Sequence, residues 1–177
     1  ARIIDRGNCF NLNSLVRGAD DIAIGGQAVD GSNLVARPEG IEQFAGLMRL
    51  LGIDHGVALQ VATSAADWID SDSTPGNGGA EDQYYAGLTP GYRAANALMA
   101  DPSEMLMVSS VTSDLYQRIR PWICALPTTD LSPININTLL PEQAVLLAML
   151  SPEGLCLEQA RQVLVERPVD GYGWSPT

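Results

Sequence analysis

Apolar positions recur every three or four residues along much of the chain, the spacing of helices with one buried face. Pro38 sits well at a first helical position, and Ile41, Phe44, Leu47, Met48 and Leu51 follow on one side until Gly52 supplies a stop. Asp54 is suited to cap a second helix, whose inward face holds Val57, Val61, Ala65, Trp68 and Ile69, with Asp67 and Asp70 in its last turn. Pro90 with Tyr92-Arg93-Ala94-Ala95-Asn96 predicts a short helix. Asp101-Pro102-Ser103-Glu104 reads as a capping box that opens another, carrying Met105, Leu106 and Val108. Thr112 caps the next, with Leu115, Ile119, Trp122 and Ile123 inside. Two more helices are predicted over residues 141–150 and 152–166, each opened by a proline.

Elsewhere the pattern is not helical. Residues 2–15 alternate loosely and predict two short strands or one bent strand, with Gly7-Asn8 as the turn. Residues 17–36 hold Gly18, Gly25, Gly26 and Gly31 among Asp and Asn and read as a long loop. Pro127 and Pro133 bound a second loop, and Ile134-Asn135-Ile136-Asn137 predicts a short extended piece. The fold class expected is mainly α, many short amphipathic helices behind a small β element.

Composition adds bounds. The chain has 177 residues, 46% of them hydrophobic, enough for one good core or two small ones. Mean hydropathy is +0.04. No apolar run is long enough to span a bilayer, the longest lying between Pro141 and Pro152. No secretory leader is visible at Ala1, and neither end reads as a natural terminus, so a fragment of a longer protein is expected. The net charge of −11 and scattered basic residues argue against binding a phosphate backbone. The cysteines, Cys9, Cys124 and Cys156, form no Cys-x-x-Cys pair, and His55 is near none of them in sequence, which argues against structural zinc. One disulfide with one free thiol, or three buried inert thiols, fit equally well at this stage.

The candidate chemistry lies in residues 67–82, where Asp67, Asp70, Asp72, Glu81 and Asp82 surround a turn rich in Gly, Pro and Asn. Two carboxylates about 4 Å apart repel by about 4 kcal/mol at an effective dielectric near 20, so convergence calls for a cation. Oxygen ligands on a flexible loop suit Ca2+. Counted as an EF-hand from Asp70, Asp72 falls at position three, Thr74 at five and Glu81 at twelve, but Pro75 stands where the glycine belongs. The ligand types fit and the loop is of another kind. Asp82 and Glu104 are further candidates, Glu104 against the competing role of a capping-box residue. For Asp67 the competing role is that of a helix residue facing solvent, and a solvated acidic turn is the bland alternative for the whole loop.

Other chemistries find little footing. Acid/base hydrolysis of a glycan by paired carboxylates would need aromatic platforms, and aromatics are 6% of the chain. His55 fits an exposed first helical turn better than a catalytic triad. Gly76-Asn77-Gly78-Gly79 precedes acids that would repel phosphate. The segment from Ile134 through two helices resembles half of a helix-hairpin-helix or sterile-alpha-motif-like unit. Its hairpin, Leu150-Ser151-Pro152-Glu153-Gly154, holds an acid and no lysine.

Seven motifs in order resemble one family. They are Cys9-Phe10-Asn11-Leu12-Asn13-Ser14-Leu15, Asp67-Trp68-Ile69-Asp70-Ser71-Asp72, Gly79-Ala80-Glu81-Asp82 with Tyr85, Tyr92-Arg93-Ala94-Ala95-Asn96, Ser103-Glu104, Cys124-Ala125-Leu126-Pro127 and Ile134-Asn135-Ile136-Asn137-Thr138. The family is the K-type minor pseudopilin of the bacterial type II secretion system, and the likeness covers roughly residues 3–150. Met105 and Ser109 depart from it, standing where the family has leucine and glycine. The resemblance implies a helical domain inserted in a pilin-type α/β fold, of which only a short β portion is present. It puts residues 1–16 in that β region, 17–166 in the insert, and 167–177 in a linker or truncated end. It implies Ca2+ held by Asp70, Asp72, Glu81, Asp82 and Glu104, and a Cys9–Cys124 disulfide formed in the periplasm, with Cys156 left over. The implied role is structural rather than enzymatic. The protein would cap the pseudopilus tip with the I-type and J-type minor pseudopilins, and meet the secreted substrate or the outer-membrane channel. It would be anchored in the inner membrane by an N-terminal helix absent from this chain. A calcium-dependent glycan hydrolase and a helix-hairpin-helix nucleic-acid binder are the competing expectations.

Overall fold

The computed structural model of the chain describes residues 7–18, 33–151 and 154–173. Its centre is a helical hairpin. Helix α1 (Pro38–Leu50) starts on its proline and stops where Gly52 turns the chain at φ 77°. Helix α2 (His55–Ile69) starts where the Asp54 carboxylate accepts from the amides of Gly56 and Val57. Every residue from Val61 to Asp70 is buried, and Ala58, Ala62, Ala65 and Ala66 keep the helix thin enough for neighbours on all sides. The inward face is turned relative to expectation, since Val57 is exposed and Ala58 is buried. No helix among the described residues is long and apolar enough to cross a membrane.

The small β elements clasp this hairpin. Strand β1 (Phe10–Asn11) runs parallel to β4 (Ile123–Cys124), and a disulfide joins Cys9 to Cys124, with Cα atoms 5.8 Å apart. After one 3₁₀ turn, Leu12–Leu15, strand β2 (Val16–Gly18) pairs antiparallel with β3 (Leu34–Ala36). The expected loop over 17–36 therefore begins and ends as a β-ladder, and its residues 19–32 lie outside the described residues, as do 1–6. Phe10 stacks on Phe44 of α1 at 4.8 Å, and Phe10, Leu12, Leu15 and Val16 belong to the same core as the helices.

Three asparagines fasten irregular chain to that core. The Asn13 side chain donates to the carbonyls of Met99 and Leu126 and accepts from the amide of Met99. Asn11 accepts from Leu126 N–H and donates to the Thr128 carbonyl, while Asn8 accepts from Asn135 N–H. Buried backbone groups outside ladders need such partners.

Beyond α2 come α3 (Asp82–Ala86), a 3₁₀ turn at Pro102–Met107 and α4 (Ser113–Ile119). Both anticipated caps are in place: Thr112 accepts from Leu115 N–H, and the Asp101 and Glu104 pair forms a capping box. Ile123 leaves the helix for β4, because Pro121 interrupts the pattern. The helix expected at Tyr92–Asn96 is absent. Residues 91–97 have no regular secondary structure, with Asn96 at φ 46° and amides spent on partners distant in sequence, and the short helix forms instead at Asp82–Ala86. Residues 134–137 form coil entering a turn, in which Asn137 N–H donates to the Asn135 side chain. Helices α5 (Ala144–Ala148) and α6 (Leu157–Val165) close the chain, both shorter than expected. The start placed at Pro152 lies outside the described residues, and Cys156 occupies the N-cap position of α6. Arg167 ties the tail down by donating to the carbonyls of Ile136 and Leu139.

Asn13 is fully buried and serves three backbone groups at once. Asn13→Ala leaves them unpaired and should lower unfolding free energy by about 2–5 kcal/mol in urea titration. A loss under about 1 kcal/mol would mean that water replaces the side chain.

A buried carboxylate cluster at the end of the central helix

Asp67 and Asp70 are one helical turn apart at the C-terminal end of α2, and Glu81 is the residue before α3. Residues 71–81 fold back so that one oxygen from each lies within 4.8 Å of the others. All three are buried, at 2%, 3% and 4% exposure. It is the one such group of metal-ligating side chains among the described residues.

The loop is built around Asp67. Both of its oxygens accept from Gly76 N–H, at 3.2 and 3.1 Å, and the Ala80 amide donates as well. A Cβ on Gly79 would collide with this carboxylate, so the backbone approaches as only glycine permits. At the loop's start, Ser71 exchanges two hydrogen bonds with Leu34 of β3. Asp70 and Glu81 are treated differently. Asp70 Oδ1 and both Glu81 oxygens are buried with no hydrogen-bond partner in the protein.

The electrostatics follow. Burial first, then the charge of Asp72, pushes the Asp67 carboxyl up to about 6 against the lowering effect of its amide donors. Burial and the charges of Asp72 and Asp67 push Asp70 up to about 7. Burial and the charges of Asp70, Asp67 and Asp72 push Glu81 up to about 7. The negative end of the α2 dipole also faces this group. Hard oxygen donors, like charge and unpartnered lone pairs are the features that a site for a hard divalent cation requires.

Of the residues singled out from sequence, the structure thus brings Asp70 and Glu81 together. Asp72 is exposed beside them, its Oδ1 accepting from Thr74 N–H. Asp82 is half-buried and accepts from Ala94 N–H at 2.9 Å. Glu104 caps its own turn by accepting from the amides of Ala100 and Asp101. Asp67, counted among the converging carboxylates but not in the expected ligand set, is the third member. Its three-residue spacing from Asp70 was the available signal, because such pairs share a helix face. The neighbouring aromatics do not form a platform. Trp68, Tyr85 and Tyr92 pack on one another at 5.2 to 6.1 Å. A cavity of about 270 Å³ beside the loop is lined by Ser73, Pro75, Gly79, Ala80, Glu81, Gln83 and Tyr84. His55 is exposed in the first turn of α2.

The raised values set a pH dependence for the metal-free protein. Folding favours the protonated carboxyls, so their contribution is fully present below the ordinary carboxylate range and lost as pH rises through about 6 to 7. Metal-stripped protein should unfold at lower urea near pH 8 than near pH 5, and Asp70→Asn should flatten the difference. Equal midpoints at both pH values would show that these groups are hydrated in solution.

Comparison with known proteins matches the chain to a family. A family model described as Type II secretion system (T2SS), protein K, covers residues 8–128, and a second of the same description covers 134–175. The type II secretion system protein K of Aeromonas hydrophila is 38% identical over 172 residues, 97% of this chain and 50% of that protein. Its counterpart in Klebsiella pneumoniae is 37% identical over 172 residues, 97% of this chain and 49% of that protein. The crystal structure of the GspK-GspI-GspJ complex from the type 2 secretion system of enterotoxigenic Escherichia coli matches with a TM-score of 0.73 and 34% identity. That match covers 96% of this chain and 53% of the other. The chain spans about half the length of the curated relatives it matches. With both family models together covering nearly all of it, the chain belongs to the type II secretion system protein K family.

Proposed function

We propose that this chain is the helical part of a minor pseudopilin that sits at the tip of the type II secretion pseudopilus and serves protein export across the outer membrane. The observation that carries this reading is the likeness to a chain solved in a GspK-GspI-GspJ complex, at 34% identity over nearly the whole of this one. On this reading the partners are I-type and J-type minor pseudopilins. The helical body is an insert in a pilin-type fold anchored in the inner membrane by an N-terminal helix. The bulk of the insert blocks further subunits above it and faces the secreted substrate or the outer-membrane channel in the periplasm. Residues 9–16 pack with the helical body, which supports starting the insert before them.

The carboxylate cluster then has a structural role. Ca2+ bound by Asp67, Asp70 and Glu81 would neutralise their charge and satisfy their unpartnered oxygens. Asp72 and Asp82 would add negative potential beside it, and Glu104 would remain a cap. An ion that cross-links α2 to the start of α3 stabilises the folded state by mass action.

Two measurements test this. Mixed with the I-type and J-type pseudopilins of the same organism, the chain should elute with them from a sizing column in a defined complex. Elution of each component alone, at concentrations well above micromolar, would remove the tip assignment. Separately, Ca2+ should raise the melting temperature of chelator-treated protein, by about 2.7 kcal/mol of stability at a hundred-fold excess over Kd. Asp70→Asn with Glu81→Gln should abolish the rise. An unchanged melt on adding Ca2+ to the wild-type protein would sink the calcium reading.

A further inference from the structure

The cation site has a neighbour that depends on both of its walls. Residues 87–98 run as an irregular strap, without helix or strand, past the end of α2. At one point the strap is held from the Glu81 side, where Ala94 N–H donates to Asp82 Oδ1. Two residues later it is held from the α2 side, where Asn96 N–H donates to the carbonyl of Trp68, between Asp67 and Asp70. Tyr92 bridges the same gap. Its amide donates to the Tyr85 carbonyl, its ring stacks on Tyr85 at 5.2 Å, and its edge meets Trp68 at 6.1 Å. The strap can keep these contacts only while α2 and the Glu81–Tyr85 turn stand at a fixed separation. The three carboxylates meet between those walls, and when ionised without a cation they repel one another.

We propose that cation occupancy of the Asp67, Asp70 and Glu81 site latches the strap: bound metal holds residues 87–98 against Trp68 and Tyr85, and its loss releases them while the rest of the fold persists. This rests on the calcium reading above and extends it from a stabilising ion to a local switch. The strap itself carries an exposed apolar side chain, Leu88, which would move with it.

The chain supplies a reporter. Its ten basic residues are all arginines, and Arg93, exposed in the middle of the strap, is the only one between Arg49 in α1 and Arg118 in α4. Trypsin cleavage after Arg93, followed by intact-mass spectrometry, therefore reads the strap, while Arg49 and Arg118 read the body of the fold. With Ca2+ in excess, cleavage at Arg93 should be at least about ten-fold slower than in chelator, a typical size for coupling between sites, with Arg49 and Arg118 protected in both. Coupling is reciprocal, so Tyr92→Ala, which frees the strap without removing a carboxylate, should speed the cut even in Ca2+ and weaken Ca2+ affinity by calorimetry. Bound Ca2+ with an Arg93 rate unchanged within about two-fold would overturn the latch and leave the calcium reading standing. Simultaneous cutting at Arg49, Arg93 and Arg118 in chelator would overturn it in favour of global stabilisation. Absence of any calorimetric signal for Ca2+ would overturn both.

Discussion

Three carboxylates cannot be taken out of water into one small space without compensation. Each loses hydration, and each raises the cost of ionising the others. Asp67 receives part of its compensation from hydrogen bonds with loop amides, whereas Asp70 Oδ1 and both oxygens of Glu81 make no such bond, and the amides of Asp72 and Asp82 offset only part of their cost. No arginine is among the charges acting on any of the three. The cluster is relieved either by protonation, which the raised values favour, or by a cation from outside the chain. The surroundings of the cluster follow from that constraint. The loop closes over Thr63 and Asp67 of α2, and carries Gly76 and Gly79 where its backbone meets them.

What the sequence disclosed, and what it hid, divides by the range of the interactions. Caps and stops at Asp54, Asp101, Thr112 and Gly52 were legible because each is satisfied within a few residues of itself. The helix expected at Tyr92–Asn96 failed for the opposite reason. An alanine-rich stretch has good helix propensity, but its amides found Asp82 and the Trp68 carbonyl, and two long-range hydrogen bonds outweigh a weak local preference. Helix α3 escaped notice because five residues hold too little periodicity to see. In the site, Asp70 and Glu81 could be picked out by the eleven-residue spacing of a familiar calcium loop. Asp67 was noted among the acids but left out of the ligand set, because that template counts forward from the loop and ignores the helix before it.

The motifs that carried the family resemblance prove to be working parts. Cys9 to Leu15 supplies the disulfide, the parallel strand and the Asn11 and Asn13 contacts. The Asp67 to Asp72 run supplies two members of the cluster and the Ser71 link to β3. Tyr92 to Asn96 is the strap, and Asn135 meets Asn8. Most of these are polar or aromatic groups buried for a specific partner. Such residues have few acceptable substitutes, because replacing one leaves its partner unsatisfied. An ordered set of them therefore identifies a fold better than hydrophobic periodicity, which many folds share.

A common economy of structure links these parts. Long stretches of the chain, 87–101 and 125–140 among them, contain little regular secondary structure, so their backbone groups have no ladder to join. The fold holds such stretches by point attachments: side-chain amides of Asn11 and Asn13, carboxylates of Asp82 and Glu104, the guanidinium of Arg167, and one disulfide. Each attachment fixes a stretch at one place and leaves its length free to differ. A divalent cation at the end of α2 would be an attachment of the same kind, joining two segments that the chain alone drives apart. It differs in one respect, which is that its occupancy answers to the surrounding solution, whereas an asparagine is always present. An attachment that can be withdrawn is the natural place for the fold to respond to its compartment, and the strap lies directly across it.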